Sequence, residues 1–168
     1  MARIGQQIKS FVALDFETAD YGRDSACSIG LIRVENNQIV QRVHALIRPP
    51  RRSFRFSYVH GIHWRDVEDQ PTFGELWETL TPLIQGVEFI AAHSASFDRG
   101  VLYACCDTYG ISHPPQPFVC TVQLARQTWK LYPTKLPDVC QHLDIDLLHH
   151  HALSDAEACA QIVIAASS

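Results

Sequence analysis

The sequence predicts an α/β or α+β protein in which a mixed five-stranded sheet is flanked by helices. Three apolar segments of strand length come first, at 10–16, 27–34 and 39–47. Two more, at 87–93 and 118–121, alternate with segments of helical periodicity. Strands that begin as a meander and then alternate with helices indicate a mixed sheet covered by helices.

The first three strands are predicted to be antiparallel. Only the four polar residues ENNQ (35–38) connect the second strand to the third, and so short a connection is typical of a hairpin. A loop that contains HGIHWRDV follows the third strand. We therefore expect all three antiparallel strands to precede the first helix.

Capping residues and apolar stripes predict the helices. Thr72 and Glu75 have the spacing of a capping box, and an apolar stripe follows them, so a helix should begin near Thr72. Ser154 and Glu157 repeat that spacing and predict a last helix over about 155–166. Further helices are predicted at about 97–109, 122–129 and 136–143.

Length and composition favour a single domain over 1–168. The chain has 46% apolar and 19% charged residues, as ordinary globular proteins do. Its formal charge of −4 argues against a nucleic-acid coating protein, which would be basic, but allows an enzyme that holds phosphates through metal ions. No segment approaches the roughly 18 apolar residues of a membrane span, and MARIGQQIKS lacks the apolar core of a signal peptide. A cytoplasmic location is expected.

Cysteine and arginine are the other residue types that could carry a site. None of the six cysteines forms a Cys-x-x-Cys pair, which argues against a zinc ribbon, and we expect reduced, structural thiols. The densest basic cluster is Arg48, Arg51, Arg52 and Arg55, beside two prolines. A solvated loop and a phosphate contact are both consistent with this cluster.

Four carboxylates stand at the ends of predicted strands or the starts of helices. Asp15 and Glu17 close the first strand, where alternate side chains share a face. Asp98 and Asp155 each occupy the first turn of a predicted helix, where the helix dipole alone favours an acid. If the strands are neighbours, these acids meet at one sheet end, and each would raise the others' pKa values unless cations balance them.

Hard divalent cations with oxygen ligands, Mg²⁺ or Mn²⁺, are suited to such a cluster. Two ions about 3.5–4 Å apart can stabilise the attacking and leaving oxygens of a phosphodiester displacement. A base with a pKa near neutrality must still accept the proton of the attacking water, and histidine is the usual choice. His149, His150 and His151 stand just before Asp155.

Three motifs in this order resemble those of a known family. They are DFET (15–18), HSASFD (93–98) and His150 followed after four residues by Asp155. The chain resembles the DnaQ-like, or DEDDh, 3′–5′ exonucleases, such as the exonuclease domains of DNA polymerase III epsilon subunits, over about residues 10–165. The resemblance implies a ribonuclease H-like fold.

The resemblance also implies roles for single residues. The metal-binding acids would be Asp15, Glu17, Asp98 and Asp155, and the general base would be His150. Substrate-binding residues would be Phe16, Thr18, Ser94 and Phe97. Thr18 and Phe97 match positions that help to hold the terminal nucleotide, although Phe97 could equally belong to the core. His149 and His151 lack the spacing of the base and are expected in a solvated loop. Relatives commonly have asparagine at position 94.

The activity that the resemblance implies is release of nucleoside 5′-monophosphates from the 3′ end of single-stranded DNA. An exoribonuclease of the ribonuclease T or oligoribonuclease type is the alternative within the superfamily, and a binding module with a relict site is the alternative outside it. Partners would be nucleic-acid 3′ ends and a DNA polymerase or other replication or repair proteins. Because the chain ends at Ser168, we expect a stand-alone enzyme or a proofreader held through its folded surface.

Overall fold

The computed structural model describes residues 7–168, so most of the segment considered above as a signal peptide, residues 1–6, lies outside the described range. The five strands form one sheet in the order β3-β2-β1-β4-β5, which confirms the predicted fold class. The strands are β1 Ser10–Thr18, β2 Ala26–Glu35, β3 Gln38–Leu46, β4 Ile90–Ala92 and β5 Phe118–Cys120. The helices are α1 Ser57–His60, α2 Trp64–Val67, α3 Phe73–Ile84, α4 Ala95–Thr108, α5 Thr121–Trp129, α6 Leu136–Leu143 and α7 Ala152–Ala166.

The sheet is antiparallel on one side of β1 and parallel on the other. β2 pairs antiparallel with both β1 and β3, as predicted. β4 pairs parallel with β1, and β5 pairs parallel with β4. The hairpin between β2 and β3 turns at Asn36 and Asn37, whose φ angles of 50° and 62° suit asparagine and match a two-residue hairpin turn.

Two layers of core lie on opposite faces of the sheet. Val12, Leu14 and Phe16 pack on the face covered by α3 and α4. Phe11 and Ala13 point to the other face, where α5, α6 and α7 lie. Asp15 and Glu17 continue this second series, so both side chains emerge on the face of the sheet that α7 covers.

Helix α7 approaches the sheet closely because β2 has a glycine beneath the start of the helix. A Cβ atom at Gly30 would overlap the backbone carbonyl of Ala152. Without that Cβ, the first turn of α7 packs directly on β1 and β2. The close approach brings the N-terminal end of α7 beside the carboxyl end of β1.

Three local predictions were wrong. Within HGIHWRDV (60–67), His60 ends the single-turn helix α1 and Trp64–Val67 form the single-turn helix α2, so only 61–63 are a loop. The last helix begins at Ala152, because the chain turns at His150 (φ 65°) and the Ser154 hydroxyl accepts the Leu148 N–H at 2.8 Å instead of capping a helix. The fourth strand is shorter than predicted, only Ile90–Ala92.

Other predictions are confirmed. Thr72 caps α3, since its hydroxyl accepts the Glu75 N–H at 3.3 Å. All six cysteines are free thiols. Between residues 7 and 168, the structure has no helix that combines the length and apolar character needed to cross a bilayer.

Candidate active site

The structure brings the four predicted acids together at the carboxyl end of β1. Asp15 and Glu17 on β1 and Asp155 in the first turn of α7 each place a carboxylate oxygen within 4.8 Å of the other two. Asp98 in the first turn of α4 accepts the backbone N–H of Phe16 at 3.0 Å through Oδ1. The cluster is therefore assembled from a strand and two helix starts that are distant in sequence.

The position of Asp98 follows from the parallel strand β4. This strand ends at Ala92, Ser94 adopts a left-handed conformation (φ 62°), and α4 begins at Ala95. The sharp turn places the first turn of α4 over the end of neighbouring β1. Asp98 is only 2% exposed, and the Phe16 N–H partly compensates its carboxylate for the loss of water.

The metal-free cluster is electrostatically strained. Burial, and then the charges of Asp98, Asp155 and Glu17, raise the pKa of Asp15 far above its usual range. Burial and the neighbouring acids Asp155 and Asp98 raise the pKa of Glu17 to about 8. Burial also raises the pKa of Asp98 to about 7, although backbone N–H groups oppose the shift. Near neutral pH, the cluster shares protons or requires a counter-charge.

A divalent cation fits this donor set. Oδ2 of Asp15 is buried with no hydrogen-bond partner, and the carboxylates beside it offer only oxygen atoms. Mg²⁺ and Mn²⁺ prefer such ligands and would supply the missing partner. Asp15, Glu17 and Asp155 are the residues close enough to share an ion, and Asp98 adds a fourth carboxylate beside them.

The histidine loop before α7 holds two imidazoles beside Asp155. His149 Nδ1 lies 3.2 Å from Asp155 Oδ2, and the His150 backbone N–H donates to the same oxygen at 3.1 Å. The two rings stack with centroids 3.8 Å apart. Burial lowers the pKa of His150. The predicted base therefore lies next to the acids.

The other two histidines differ from the expectation of a purely solvated loop. His149 is exposed, yet its ring contacts Asp155. His151 is half-buried, and its ring lies 4.8 Å from that of His44 on β3. Spacing along the chain could not reveal these contacts, because His150 reverses the chain direction between the two.

The four residues expected to bind the substrate differ from one another in exposure and in contacts. Thr18 is half-buried at the end of β1, and His60 Nε2 donates to its carbonyl oxygen at 2.9 Å. Phe97 is 46% exposed at the start of α4, one residue before Asp98, so its side chain does not belong to the core. Ser94 lines a cavity beside Asp15. The prediction that the Phe16 side chain contacts the substrate is wrong. This side chain is 3% exposed and packs in the core layer beneath α3 and α4, on the face of the sheet opposite to Asp15 and Glu17.

The arginine cluster is largely structural. Arg51 pairs with Asp20 at 3.0 Å and with Asp24 at 2.7 Å, and thereby fastens the β1–β2 loop to the segment after β3. The guanidinium of Arg52 lies over the Trp64 ring, 5.3 Å from its centroid. These arginines have intramolecular partners, so the solvated-loop interpretation holds only in part and phosphate contact is not needed to explain them.

His93 is a structural residue at the end of β4. Its Nε2 lies 2.8 Å from the Thr134 carbonyl oxygen, which can only accept, so Nε2 carries the proton. Its Nδ1 then accepts the Thr121 hydroxyl at 2.8 Å. Burial lowers the pKa of His93, consistent with this neutral form. The imidazole thus ties the segment before α6 to β4.

Sequence reasoning missed a cavity beside the acids, which we name the α5–α6 cavity. Its volume is about 430 Å³, and it is bounded on one side by the acids and on the other by the end of α5 and the α5–α6 loop. Its lining includes Asp15, His93, Ser94, Arg126, Tyr132, Thr134, Lys135, His149 and Asp155. Basic and aromatic residues in RQTWKLYPTK (126–135) were the available sequence signal.

Comparisons with known proteins match almost the whole described chain. A family model described as exonuclease, RNase T, matches residues 12–163. The PolC-type DNA polymerase III of Thermotoga petrophila is 31% identical over 159 residues, which cover 92% of this chain and 12% of that protein. This chain spans only 11–12% of the length of such relatives.

Solved structures show the same architecture. Exonuclease X in complex with 5′ overhanging duplex DNA is 25% identical, with a TM-score of 0.74 over 93% of this chain and 90% of that one. The nuclease domain of 3′hExo, a DEDDh family member bound to rAMP, is 17% identical, with a TM-score of 0.79 over 94% and 91% of the two chains. The second likeness shows a shared fold.

Proposed function

Since the chain belongs to the DnaQ-like exonuclease family that its motifs predicted, we propose that it is a metal-dependent 3′–5′ exonuclease acting on single-stranded DNA. It would release nucleoside 5′-monophosphates, and residues 1–168 would form one exonuclease domain with its core at about 10–165. The observation that carries this proposal is the meeting of four carboxylates from three separate elements at one sheet end.

Asp15, Glu17, Asp98 and Asp155 are the residues proposed to hold two Mg²⁺ or Mn²⁺ ions. Bound there, the ions would lower the pKa of an attacking water and neutralise charge on the leaving 3′-oxygen. Asp98 is anchored on the Phe16 N–H, and Asp155 on the His150 N–H. These bonds fix the direction in which each carboxylate faces before any ligand arrives.

His150 is the proposed general base. Its lowered pKa keeps the imidazole neutral near pH 7, so a ring nitrogen is free to accept a proton from water. Asp155 holds the backbone of His150, and the His149 ring supports one face of the base. Thr18 and Phe97, at the end of β1 and at the start of α4, are proposed to hold the terminal nucleotide.

DNA is the proposed substrate because the similar proteins include a DNA polymerase that is 31% identical and an exonuclease bound to DNA that is 25% identical. The PolC-type relatives also suggest a polymerase as partner and proofreading or repair as the setting. This part of the proposal rests on likeness alone, since the acids interact with phosphate and not with the sugar.

A digestion experiment with a matched pair of variants tests the proposal. Single-stranded DNA and RNA of one sequence, labelled at the 5′ end, are incubated with Mn²⁺ or with EDTA. We expect a ladder that shortens from the 3′ end, faster on DNA and absent with EDTA. Glu17→Gln should lower the rate by about 1,000-fold or more, because it removes a charged ligand. Glu78→Gln, the same change on exposed α3, should leave the rate unchanged.

Three results would contradict the proposal. Full activity of Glu17→Gln would exclude the acid cluster as the catalytic centre. Shortening from the labelled 5′ end would exclude the polarity. Faster digestion of RNA would replace the DNA preference with the exoribonuclease alternative.

A further inference from the structure

The α5–α6 cavity has walls of opposite charge. Asp15 and Asp155 lie on one wall, whereas Arg126 and Lys135 lie on the other. Both cations are exposed, and neither has a carboxylate within ion-pair distance among residues 7–168. In a chain with a formal charge of −4, two uncompensated cations facing the acid cluster indicate a place for an anion.

An aromatic ring accompanies these cations. Tyr132 is 82% exposed, and the guanidinium of Arg126 lies 6.0 Å from the centroid of its ring. Single-stranded nucleic acid is commonly bound by cations that follow the backbone and by aromatic rings on which bases stack. The cavity volume of about 430 Å³ falls within the roughly 300–1,000 Å³ of ligand pockets. A nucleotide, with both phosphate and base, fits this combination better than a bare anion.

The cavity wall is held in place by partly buried hydrogen bonds. Arg126 Nε donates to the Thr134 hydroxyl at 2.8 Å, and the Thr134 carbonyl accepts from His93 at the end of β4. Thr134 is only 4% exposed. These bonds hold the α5–α6 loop against the sheet, so Tyr132 and Lys135 extend from a braced segment. A pre-formed site of this kind binds at a lower entropic cost than a free loop does.

The cavity lies on the opposite side of β1 from Thr18, one of the two residues proposed to hold the terminal nucleotide. Apart from Asp15 on β1 and His149 and Asp155 at the start of α7, its lining comes from segments that follow β4 and β5, on the parallel side of β1. Thr18 instead pairs with β2 and contacts His60, on the antiparallel side. A strand whose last nucleotide lies at Thr18 and whose scissile phosphate lies at the acids must leave toward the cavity.

We propose that the α5–α6 cavity binds the nucleotide immediately 5′ to the scissile bond, with Arg126 and Lys135 on its phosphodiester and Tyr132 against its base. The proposal rests on the exonuclease function proposed above and adds a second subsite to it. The cavity then makes the enzyme prefer a chain of at least two nucleotides over a single esterified nucleotide.

Two substrates of different length test the subsite. The first is a single-stranded thymidine oligonucleotide, and the second is the p-nitrophenyl ester of thymidine 5′-monophosphate, which has a scissile bond but no nucleotide 5′ to it. The measured quantity is the ratio of kcat/KM for the oligonucleotide to kcat/KM for the ester. We expect Arg126→Ala/Lys135→Ala to lower this ratio about 100-fold, at about tenfold for each charge-assisted contact.

A binding measurement tests the subsite without requiring catalysis. In an Asp15→Asn background, the anisotropy of a labelled oligonucleotide reports affinity at several salt concentrations. Loss of the contact to this one phosphodiester should reduce the slope of log K against log salt by about 0.7, the value per phosphate of a single strand. Lys9→Ala is the control and should leave the slope unchanged. Lys9 is exposed and precedes Asp15 by six residues, which corresponds to about 20 Å at roughly 3.3 Å per strand residue.

The possible results distinguish failure of the proposed subsite from failure of the proposed exonuclease function. An unchanged ratio in a double variant whose parent cleaves both substrates overturns the subsite and leaves the exonuclease intact. An equal loss on both substrates also overturns it, because the cavity would then serve the terminal nucleotide or the fold. Thr134→Val removes the acceptor of Arg126 but keeps both cations, so an equal fall of the ratio in this variant would overturn the direct contact. Cleavage of neither substrate by the parent enzyme contradicts the proposed function itself.

Discussion

Asp155 is the residue through which the histidine loop is joined to the acid cluster. One of its oxygens meets both the His149 ring and the His150 backbone, and the carboxylate lies beside Asp15 and Glu17. Burial raises the pKa of Asp155, while the His149 contact opposes that shift. A single side chain thus joins the proposed base to the proposed metal ligands.

The two imidazoles beside Asp155 should contribute unequally to catalysis. We expect His150→Ala to lower kcat by about 10²–10⁴-fold, the usual contribution of a general base. His149→Ala should cost less, because His149 supports Asp155 rather than accepting a proton. Single-turnover rates between pH 5 and 9 provide the measurement.

The pH profile distinguishes the two roles. Because burial lowers the pKa of His150, the wild-type rate should rise with pH and level off once that pKa is passed. His150→Ala should lose this rising limb, whereas His149→Ala should keep it. A lost limb in His149→Ala alone would transfer the role of base to His149.

At the scale of elements, the start of α4 shows a backbone conformation that its sequence does not favour. Ser94 has a φ of 62°, and its side chain forms no capping bond. Asparagine tolerates this left-handed region better than serine does. Ser94→Asn should therefore raise the free energy of unfolding by about 0.5 kcal/mol, measured by urea denaturation.

Alanine at the same position is the control for that prediction. Ser94→Ala removes a hydroxyl that makes no capping bond, so it should bring no gain. Equal stabilisation by alanine and asparagine would mean that the left-handed backbone is not the source of the effect.

The elements that the sequence revealed are those with a repeating pattern or a local cap. Apolar segments of strand length identified β1 to β3, and the Thr72 cap identified α3. The single turns α1 and α2 are too short for periodicity to appear. Ser154 had the spacing of a cap, but its hydroxyl is bonded to Leu148 from the preceding loop, a contact that no local pattern encodes.

The same distinction applies to the site. The four acids were predictable, because each stands at the end of a strand or the start of a helix and all four belong to the three motifs. Arg126 and Lys135 were not, since they belong to different elements and become neighbours of Asp15 only through the sheet order. Phe16 was predicted to bind substrate because of its place in a motif. Strand alternation, however, directs its side chain to the face of the sheet opposite to Asp15 and Glu17.

At the scale of the whole molecule, the acid cluster makes stability depend on pH and on metal. The folded-state pKa values of Glu17, about 8, and Asp98, about 7, lie above those of an unfolded chain. The native state therefore holds more protons, and stability must fall as the pH rises through 7 to 8. In EDTA, Tm should drop by at least about 3 °C between pH 6 and pH 9, the shift for roughly 1 kcal/mol in a domain of this size.

Metal and a charge-removing variant should both reverse this loss. Mn²⁺ should raise Tm more at pH 9 than at pH 6, because it binds the ionised carboxylates. Asp15→Asn should flatten the pH dependence in EDTA, since it removes the most strongly repelled charge. A Tm that rises with pH in EDTA would contradict the strained cluster, and scanning calorimetry of both proteins measures it.

The docking of α7 on β1 and β2 has a consequence for the newly made chain. Asp155 and the histidines belong to the last fifth of the polypeptide, and they reach Asp15 only when α7 packs over Gly30. A nascent chain that stops before this helix lacks Asp155 and the proposed base, so we expect it to have no nuclease activity.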